Sequence, residues 1–236
     1  MLDFFKVYKK FAIFFLFLSA IILTLFYYAL KPVKRLPFFA PKSINPELVD
    51  STVVHIKKRH FIPDFALTNQ NGKIITQKDY ENKIYVADFF FTTCGTICPI
   101  MTSNMKKVQR AVLLDDEIKL LSHSVMPEID TVAQLKKYAK EKGVIDSKWN
   151  LVTGSKKDIY NLARKSYLVA KYDPTKEDGY GIVHTENFVL IDQKKRIRGT
   201  YDGTNDEDIE RLLEDIKILK EEDDPRFSMS KYLFGD

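Results

Sequence analysis

The chain has 236 residues, of which 45% are hydrophobic and 29% are charged, and its formal net charge is +5. This length suits one ordinary domain with an appendage, and this composition excludes a disordered chain, a collagen-like polymer and a low-complexity segment. Seven of the 37 lysines and arginines precede residue 43, together with a single acid, so the remainder of the chain is nearly neutral. Because no basic patch with interleaved aromatic residues follows, we expect no nucleic-acid partner.

An apolar stretch of twenty residues, 11–30, follows a short N-terminal segment, residues 1–10. As a helix rising about 1.5 Å per residue, it would reach about 30 Å, which is the thickness of the hydrocarbon core of a bilayer. Tyr27 and Tyr28 near its end suit the membrane interface. The alternative is a cleaved signal peptide, but its apolar region is shorter and ends in small residues, whereas Ser19 lies mid-stretch. We therefore expect an uncleaved, single transmembrane anchor.

The orientation of this anchor is not decided by charge, because basic residues flank it on both sides: Lys6, Lys9 and Lys10 before it, and Lys31, Lys34, Arg35 and Lys42 after it. The N-terminus lacks the Arg-rich and Ser-rich character of a mitochondrial transit peptide, which indicates a bacterial envelope protein. No cysteine lies near the anchor to carry a lipid. We expect a single-pass inner-membrane protein with its domain in the periplasm, because the cysteine chemistry described below requires that compartment.

The body of the chain begins with a proline-containing stretch. Residues 31–59 contain four prolines and little hydrophobic periodicity, so they are predicted to form an extended spacer. The domain is predicted to span residues 60–220 and to open with a hairpin, strands 64–67 and 73–75, around an Asn-Gly turn. The stretch 84–91 is an almost unbroken run of apolar, β-branched and aromatic residues, which is typical of a central strand covered on both faces.

Strands and amphipathic helices then alternate along the domain. The predicted elements are, in chain order, helix 99–114, strand 117–125, helix 131–142, strand 149–153, helix 155–165, loop 172–181, strands 184–191 and 196–201, and helix 206–220. This order, which ends in a hairpin and a helix, is that of an α/β protein with a thioredoxin-like sandwich. Residues 221–236 form a C-terminal tail to which we assign no structure.

The two cysteines of the chain, Cys94 and Cys98, fall where strand 84–91 turns into helix 99–114. A helix N-terminus stabilises thiolates, which are the metal-binding and nucleophilic form of cysteine. With three residues between them, the two sulfurs can lie on one side of a helical turn and bind one ion or form a disulfide. Two buried structural thiols are the plainer alternative. The meeting of both cysteines at one strand-to-helix turn favours a paired functional role.

The metal that such a pair would hold follows from its donor set. A structural zinc site of four cysteines is impossible with two, so zinc would need several ligands other than sulfur. Copper(I) is softer and accepts two thiolates together with one imidazole.

Three stretches of the chain resemble the SCO/SenC family of membrane-anchored copper proteins: FFFTTCGTICP at 89–99, SVMPEIDT at 124–131 and VHTENFVLID at 183–192. The resemblance covers about residues 60–220 and implies a thioredoxin-like fold. It also implies a metal site made of Cys94, Cys98 and His184, which binds copper as both Cu⁺ and Cu²⁺. The implied partners are the cytochrome c oxidase subunit with the dinuclear copper centre, to which copper or reducing equivalents are delivered, and a copper donor protein.

Two positions depart from the family pattern, since Met126 and Val183 stand where the family commonly carries acids. The loss of two carboxylates would weaken the outer shell that orients ligands or favours copper(II), and it leaves copper(I) binding untouched. Met126 offers a soft thioether, although methionine at a strand end usually packs. His123 alternates with apolar neighbours and is expected to be structural, with an outer-shell role at most. The remaining histidines, His55 and His60, are expected to be solvated.

Two functions remain open at this point. The first is a metallochaperone, which binds and transfers copper without turnover. The second is an enzyme, a thiol–disulfide oxidoreductase that reduces a partner through Cys94 and Cys98. A peroxidase of similar fold would need a peroxidatic motif that we do not find. His184 and the three-residue spacing favour copper binding, because thiol exchange needs no imidazole and most reductases of this fold have two intervening residues.

Overall fold

The computed structural model describes residues 2–30, 34–41, 60–170 and 185–223. The chain divides into two compact units, Met1–Arg35 and Leu36–Asp236. In the first unit, helix α1 (Leu2–Leu30) is continuous, so the predicted short N-terminal segment belongs to the same helix as the apolar stretch. Within it, Tyr8–Tyr27 has a mean hydropathy of 2.2, and its side chains are exposed. This helix is long and apolar enough to cross a membrane and is a candidate anchor.

The second unit is built on one seven-stranded sheet with the order β2-β1-β5-β4-β3-β6-β7. The three central strands, β3, β4 and β5, are parallel to one another. On either side of them, each strand is antiparallel to the strand next to it: β1 to β5 and β2, and β6 to β3 and β7. The strands are β1 (Ala66–Asn69), β2 (Ile74–Thr76), β3 (Ile84–Phe90), β4 (Ile118–Ser124), β5 (Trp149–Thr153), β6 (Asn187–Ile191) and β7 (Ile197–Asp202). All seven residues of β3 are buried, which confirms the central strand that its apolar run predicts.

The α-helices of this unit are α2 (Ile97–Ala111), α3 (Val132–Lys142), α4 (Lys156–Asn161) and α5 (Asp206–Asp223), and a 3-10 turn, Gln77–Tyr80, lies between β2 and β3. A π-helical turn, Leu162–Ser166, continues α4. Local chemistry explains the bounds of α3, because the Thr131 hydroxyl accepts a hydrogen bond from the Gln134 N–H and Gly143 ends the helix in the left-handed conformation. These bounds agree with the predicted elements to within a few residues.

The sheet separates two layers of apolar side chains. The α2-side core contains side chains of α2, α3 and α5 against alternate positions of the central strands; its members include Val86, Phe90, Cys98, Met101, Met105, Leu120, Leu135 and Leu212. The α4-side core contains side chains of α4 and the π-helical turn on the opposite face; its members include Ala87, Phe89, Leu121, Val125, Tyr160 and Tyr167. Neighbouring residues of β3 and β4 therefore point to different layers, as the two-residue period of a strand requires.

At two places, residues outside the predicted domain 60–220 pack against it. Residues 36–41, which we expected within the extended spacer, lie against the domain: the Leu36 side chain is buried and the Phe39 N–H donates to the Ile197 carbonyl at 3.0 Å. Helix α5 ends three residues beyond the predicted end of the domain, and Glu222 in its last turn accepts a hydrogen bond from the Leu36 N–H at 2.6 Å. The remainder of the spacer after residue 41, the predicted loop 172–181 and the tail from residue 224 lie outside the described residues.

Candidate metal centre

The two cysteines lie at the end of the central strand, as the sequence predicts. Cys94 lies in the connection between β3 and α2, and Cys98 lies in the first turn of α2, which begins two residues earlier than expected. Both thiols are free, with Cys94 partly exposed and Cys98 only 3% exposed. The structure thus brings together two free thiols, of which one is partly exposed to solvent and the other is buried behind it.

The pKa of Cys94 reflects the hydrogen bonds around its sulfur. Partial burial alone would raise this pKa, but backbone hydrogen bonds from Cys98 and Thr96 outweigh burial and lower it to about 7. The side chains of Cys98 and Thr96 act in the same direction, and the Thr96 Oγ1 lies 3.6 Å from the Cys94 Sγ. Cys94 is therefore the thiol that is ready to act as nucleophile or metal ligand near neutral pH.

Cys98 has the opposite electrostatic environment. Burial is the main cause that raises the pKa of this thiol, and a backbone hydrogen bond from Phe91 opposes it. The neighbouring Cys94 and Asp88 act in the same direction as burial, and together these effects bring the pKa to about 12. Cys98 consequently remains protonated near neutral pH and hydrogen-bonds to Cys94. A metal ion that uses both sulfurs must displace this proton.

Asp88 is a residue of this site that the sequence analysis did not identify. It lies in β3 at a position that points to the α2-side core, where Cys98 also lies, and it is only 2% exposed. Burial raises its pKa to about 7, and a hydrogen bond from Ser122 partly opposes this effect. Its Oδ1 has no hydrogen-bond partner among the described residues. The signal was present in the sequence, as an acid within the apolar run 84–91.

His123 lies on the other side of the sheet, in the α4-side core. Its ring stacks on Phe89 at 4.7 Å between centroids and meets the Tyr167 ring at 5.2 Å. Burial lowers the pKa of His123 to about 4, so the ring is neutral, and its Nδ1 lies 3.2 Å from the Asp88 carbonyl oxygen. The sheet separates this imidazole from Cys98, in agreement with the structural role that we expected.

The remaining candidate residues are one methionine and one histidine that the structure describes and three residues that it does not. Met126 is partly buried and packs against the α4-side core. His60 is half-buried rather than solvated, because its Nε2 lies 2.6 Å from the Ser166 carbonyl oxygen, so that expectation is wrong. His55, Val183 and the predicted ligand His184 lie outside the described residues. Within the described ranges, no group of three metal-ligating acids, cysteines and histidines is present.

A comparison with known families identifies the family to which this fold belongs. The family model described as SCO1/SenC matches residues 54–221, which is well over half of the chain. The chain belongs to the SCO1/SenC family. The family expected from the three sequence stretches is confirmed, and with it the thioredoxin-like fold.

Individual members of the SCO1/SenC family show the extent of the match. The SCO1 protein homolog of Bacillus subtilis (strain 168) is 30% identical over 158 residues, which cover 66% of this chain and 81% of the relative. The crystal structure of a SCO1/SenC family lipoprotein from Bacillus anthracis superposes with a TM-score of 0.61 at 34% identity, covering 68% of this chain and 95% of that protein.

Two further SCO1/SenC structures bear on the chemistry of the relatives. Bradyrhizobium japonicum ScoI, solved with copper bound, superposes with a TM-score of 0.53 at 30% identity over 67% of this chain and 99% of its own. BsSco superposes with a TM-score of 0.57 at 29% identity, and the match covers 67% of this chain and 92% of BsSco. BsSco is described as a member of the Sco family of cytochrome c oxidase assembly proteins with a disulfide switch.

Proposed function

We propose that this chain is a membrane-anchored copper metallochaperone that holds copper through Cys94, Cys98 and His184 and assists assembly of the copper centre of cytochrome c oxidase. The observation that carries the proposal is the thiol pair itself: a partly exposed Cys94 with a pKa of about 7, adjacent to a buried Cys98 at the start of α2. ScoI with bound copper and BsSco as an assembly protein support it by relationship.

The donor set fits copper(I). Two thiolates are soft ligands, and a helix N-terminus contributes partial positive charge that favours them as anions. Copper is the cargo in this proposal, and its arrival displaces the proton of Cys98. The partly exposed sulfur of Cys94 would be the point at which a donor or a client protein exchanges the ion.

His184 is proposed as the third ligand on grounds of topology. β6 is antiparallel to β3, with Ala87 opposite Val189. Because the two strands run in opposite directions, β6 begins at the same end of the sheet at which β3 ends and the Cys94 loop follows. Since His184 precedes the first residue of β6 by three positions, this arrangement supports a ligand from that segment.

Copper(I) titration of the reduced full-length protein in detergent, against a competing chelator, tests the proposal. We expect one tightly bound ion per chain in the wild type and none in Cys94→Ser or Cys98→Ser. Thr93→Ser is the matched control, because it changes an exposed residue of the same loop and keeps both thiols. One tightly bound ion in Cys94→Ser would contradict the proposed site.

The same titration addresses His184. We expect His184→Ala to weaken copper binding by at least about tenfold. Loss of a residue that only hydrogen-bonds to a metal ligand already has an effect of this size, and loss of a ligand should have no smaller one. His60→Asn serves as control, since His60 contacts the Ser166 carbonyl and not the cysteine pair. Unchanged affinity in His184→Ala would place the third ligand elsewhere.

A second candidate, thiol–disulfide reduction of a partner, is favoured by the difference between the two thiols. The Cys94 thiolate would attack a partner disulfide and release one partner thiol, and Cys98 would then attack Cys94 and release the second. Two electrons pass to the partner, and Cys94 and Cys98 end as a disulfide. His184→Ala separates the two functions, because this exchange should continue at the wild-type rate while copper affinity falls. Copper loading should in turn require the reduced pair.

A further inference from the structure

A buried carboxylate, Asp130, holds the loop that carries Cys94. Asp130 is 0% exposed and lies between β4 and α3. Its two oxygens accept hydrogen bonds from the Thr92 N–H at 3.2 and 3.3 Å, and Oδ1 accepts a further one from the Thr92 hydroxyl at 2.5 Å. Oδ2 also accepts from the Ser124 hydroxyl at 2.5 Å. Hydrogen bonds from hydroxyls to a carboxylate are among the strong ones.

These contacts are not explained by the helix that follows Asp130. The N-terminus of α3 is capped by Thr131, whose hydroxyl accepts the Gln134 N–H. In the described part of the chain, no lysine or arginine forms an ion pair with Asp130. The hydrogen bonds of its side chain instead join it to the loop after β3 and to the end of β4, which are 38 and six positions away.

Thr92 is held from a second side. Its Oγ1 accepts a hydrogen bond from the Gln134 Nε2 at 3.0 Å while it donates to Asp130. Both partners come from the loop and helix that follow β4, so the backbone at Thr92 is fixed to a separate element of the domain.

The position of Thr92 connects these bonds to the thiol pair. The preceding residue, Phe91, forms a backbone hydrogen bond with the Cys98 sulfur, and its carbonyl accepts the Cys94 N–H at 3.4 Å. Thr92 therefore lies between Phe91, whose backbone contacts both cysteines, and Cys94, and it is fixed in place by Asp130 and Gln134. A shift of Thr92 would move Cys94 relative to Cys98.

We propose that Asp130 is a positioning residue for the cysteine pair: through Thr92 it sets the separation and relative orientation of the Cys94 and Cys98 sulfurs. The balance between dithiol and disulfide depends on that geometry, because a disulfide tolerates a narrow range of Cα separations and torsion angles. The inference rests on the proposed function only in requiring that the two thiols act as a pair.

The test is the equilibrium of the full-length protein in detergent with a glutathione redox buffer, with the dithiol fraction read by alkylation and mass measurement. We expect Asp130→Asn to change the equilibrium constant of the Cys94–Cys98 disulfide by about fivefold or more. This is the change expected when the net energy of one hydrogen bond to Thr92 differs between the dithiol and the disulfide forms. Thr92→Val, which removes only the hydroxyl, should shift it in the same direction. Thr92→Ser, which keeps the hydroxyl and the N–H, should restore the wild-type value.

Asp192→Asn is the matched control. Asp192 is also a buried carboxylate, but its partners are Arg196 and Arg198 at the β6–β7 turn and strand. Its loss should lower the stability of the fold and leave the disulfide equilibrium unchanged. If Asp130→Asn does not fold, Thr92→Val decides alone. Values within twofold of wild type in the folded variants would overturn the inference, whereas a wild type that forms no disulfide and binds no copper would overturn the proposed function instead.

Discussion

Cys94 and Cys98 differ in solvent exposure and in the hydrogen bonds that reach their sulfur atoms. Cys94 receives backbone hydrogen bonds at the helix start, whereas Cys98 is enclosed in the α2-side core beside the buried Asp88. With a pKa of about 7, roughly half of Cys94 is thiolate at neutral pH, while Cys98 with a pKa of about 12 is protonated. Reactivity at neutral pH is thus confined to the sulfur that a partner can reach.

Alkylation of single-thiol variants measures this difference. We expect the iodoacetamide reaction of Cys98→Ser, which retains Cys94, to rise through a midpoint near pH 7. The reaction of Cys94→Ser, which retains Cys98, should stay slow over the same range because the thiol is protonated and buried. Equal pH midpoints for the two variants would show that the environments do not differ as described.

Asp88→Asn provides the accompanying control in the Cys94→Ser background. The negative charge of Asp88 raises the pKa of Cys98, so a neutral amide of similar size should shift the Cys98 profile to lower pH. Asp115→Asn, a change at a partly buried carboxylate paired with Lys220, should leave the Cys98 profile in place.

At the scale of elements, a buried arginine of β7 is central to the attachment of residues 36–41, whose backbone also forms hydrogen bonds to Ile197 and Glu222. Arg198 is 2% exposed, and its guanidinium donates to the Leu36 carbonyl at 2.8 Å, to Glu222 at 2.7 Å and to Asp192 at 3.2 Å. The Phe38 ring covers the same guanidinium at 4.3 Å. A single side chain therefore joins the start of this unit, the β6–β7 turn and the end of α5.

Replacement of this arginine should destabilise the domain, because it leaves the largely buried Glu222 without its cation and removes one of the two cations paired with Asp192. We expect Arg198→Met to lower the free energy of unfolding by about 3 kcal/mol, the lower end of the range for breaking a buried pair, since Asp192 keeps Arg196 as a partner. Denaturant unfolding of the detergent-solubilised protein gives the measurement.

Arg211→Met is the matched control for that change. Arg211 pairs with Asp208 on the exposed face of α5, where an ion pair contributes about 1 kcal/mol or less. Similar losses in the two variants would mean that Arg198 has no special role in attaching residues 36–41.

At the scale of the whole molecule, an apolar helix precedes a domain with a pair of free thiols. Helix α1 exposes apolar side chains around its circumference between Tyr8 and Tyr27, a pattern typical of a membrane span. The related protein from Bacillus anthracis is a lipoprotein, whereas this chain has no cysteine near its apolar helix. We propose that α1 is an uncleaved anchor and that the domain lies in the periplasm, where disulfides form and persist.

Protease accessibility tests this topology. Protease added to spheroplasts should degrade the domain, and the membrane fraction should contain a protein whose N-terminus precedes residue 11. A cytoplasmic marker protein is the control for intact spheroplasts, and detergent lysis is the control for protease activity. Protection of the domain in sealed spheroplasts, or a mature N-terminus after residue 30, would contradict the proposed topology.

Local sequence patterns determined most elements and the position of the thiol pair. The apolar run of β3, the spacing of apolar residues in α2 and the turn between them involve neighbours in the chain, so periodicity and the two cysteines were sufficient to predict them. The three family stretches then indicated the fold and the candidate ligands, of which Cys94 and Cys98 are brought together by the structure and His184 remains a prediction.

Tertiary structure alone decided the long-range polar contacts of the domain, including those next to the thiols. Asp130 meets Thr92 across 38 positions, and Arg198 meets Leu36 across 162, and no pattern within either segment encodes the partner. The assignment of Asp88 and His123 to opposite faces likewise depends on strand pairing, because adjacent strands determine which layer covers each side chain. The sequence therefore determined where the chemistry lies, and long-range packing determined the pKa values and the geometry with which it can occur.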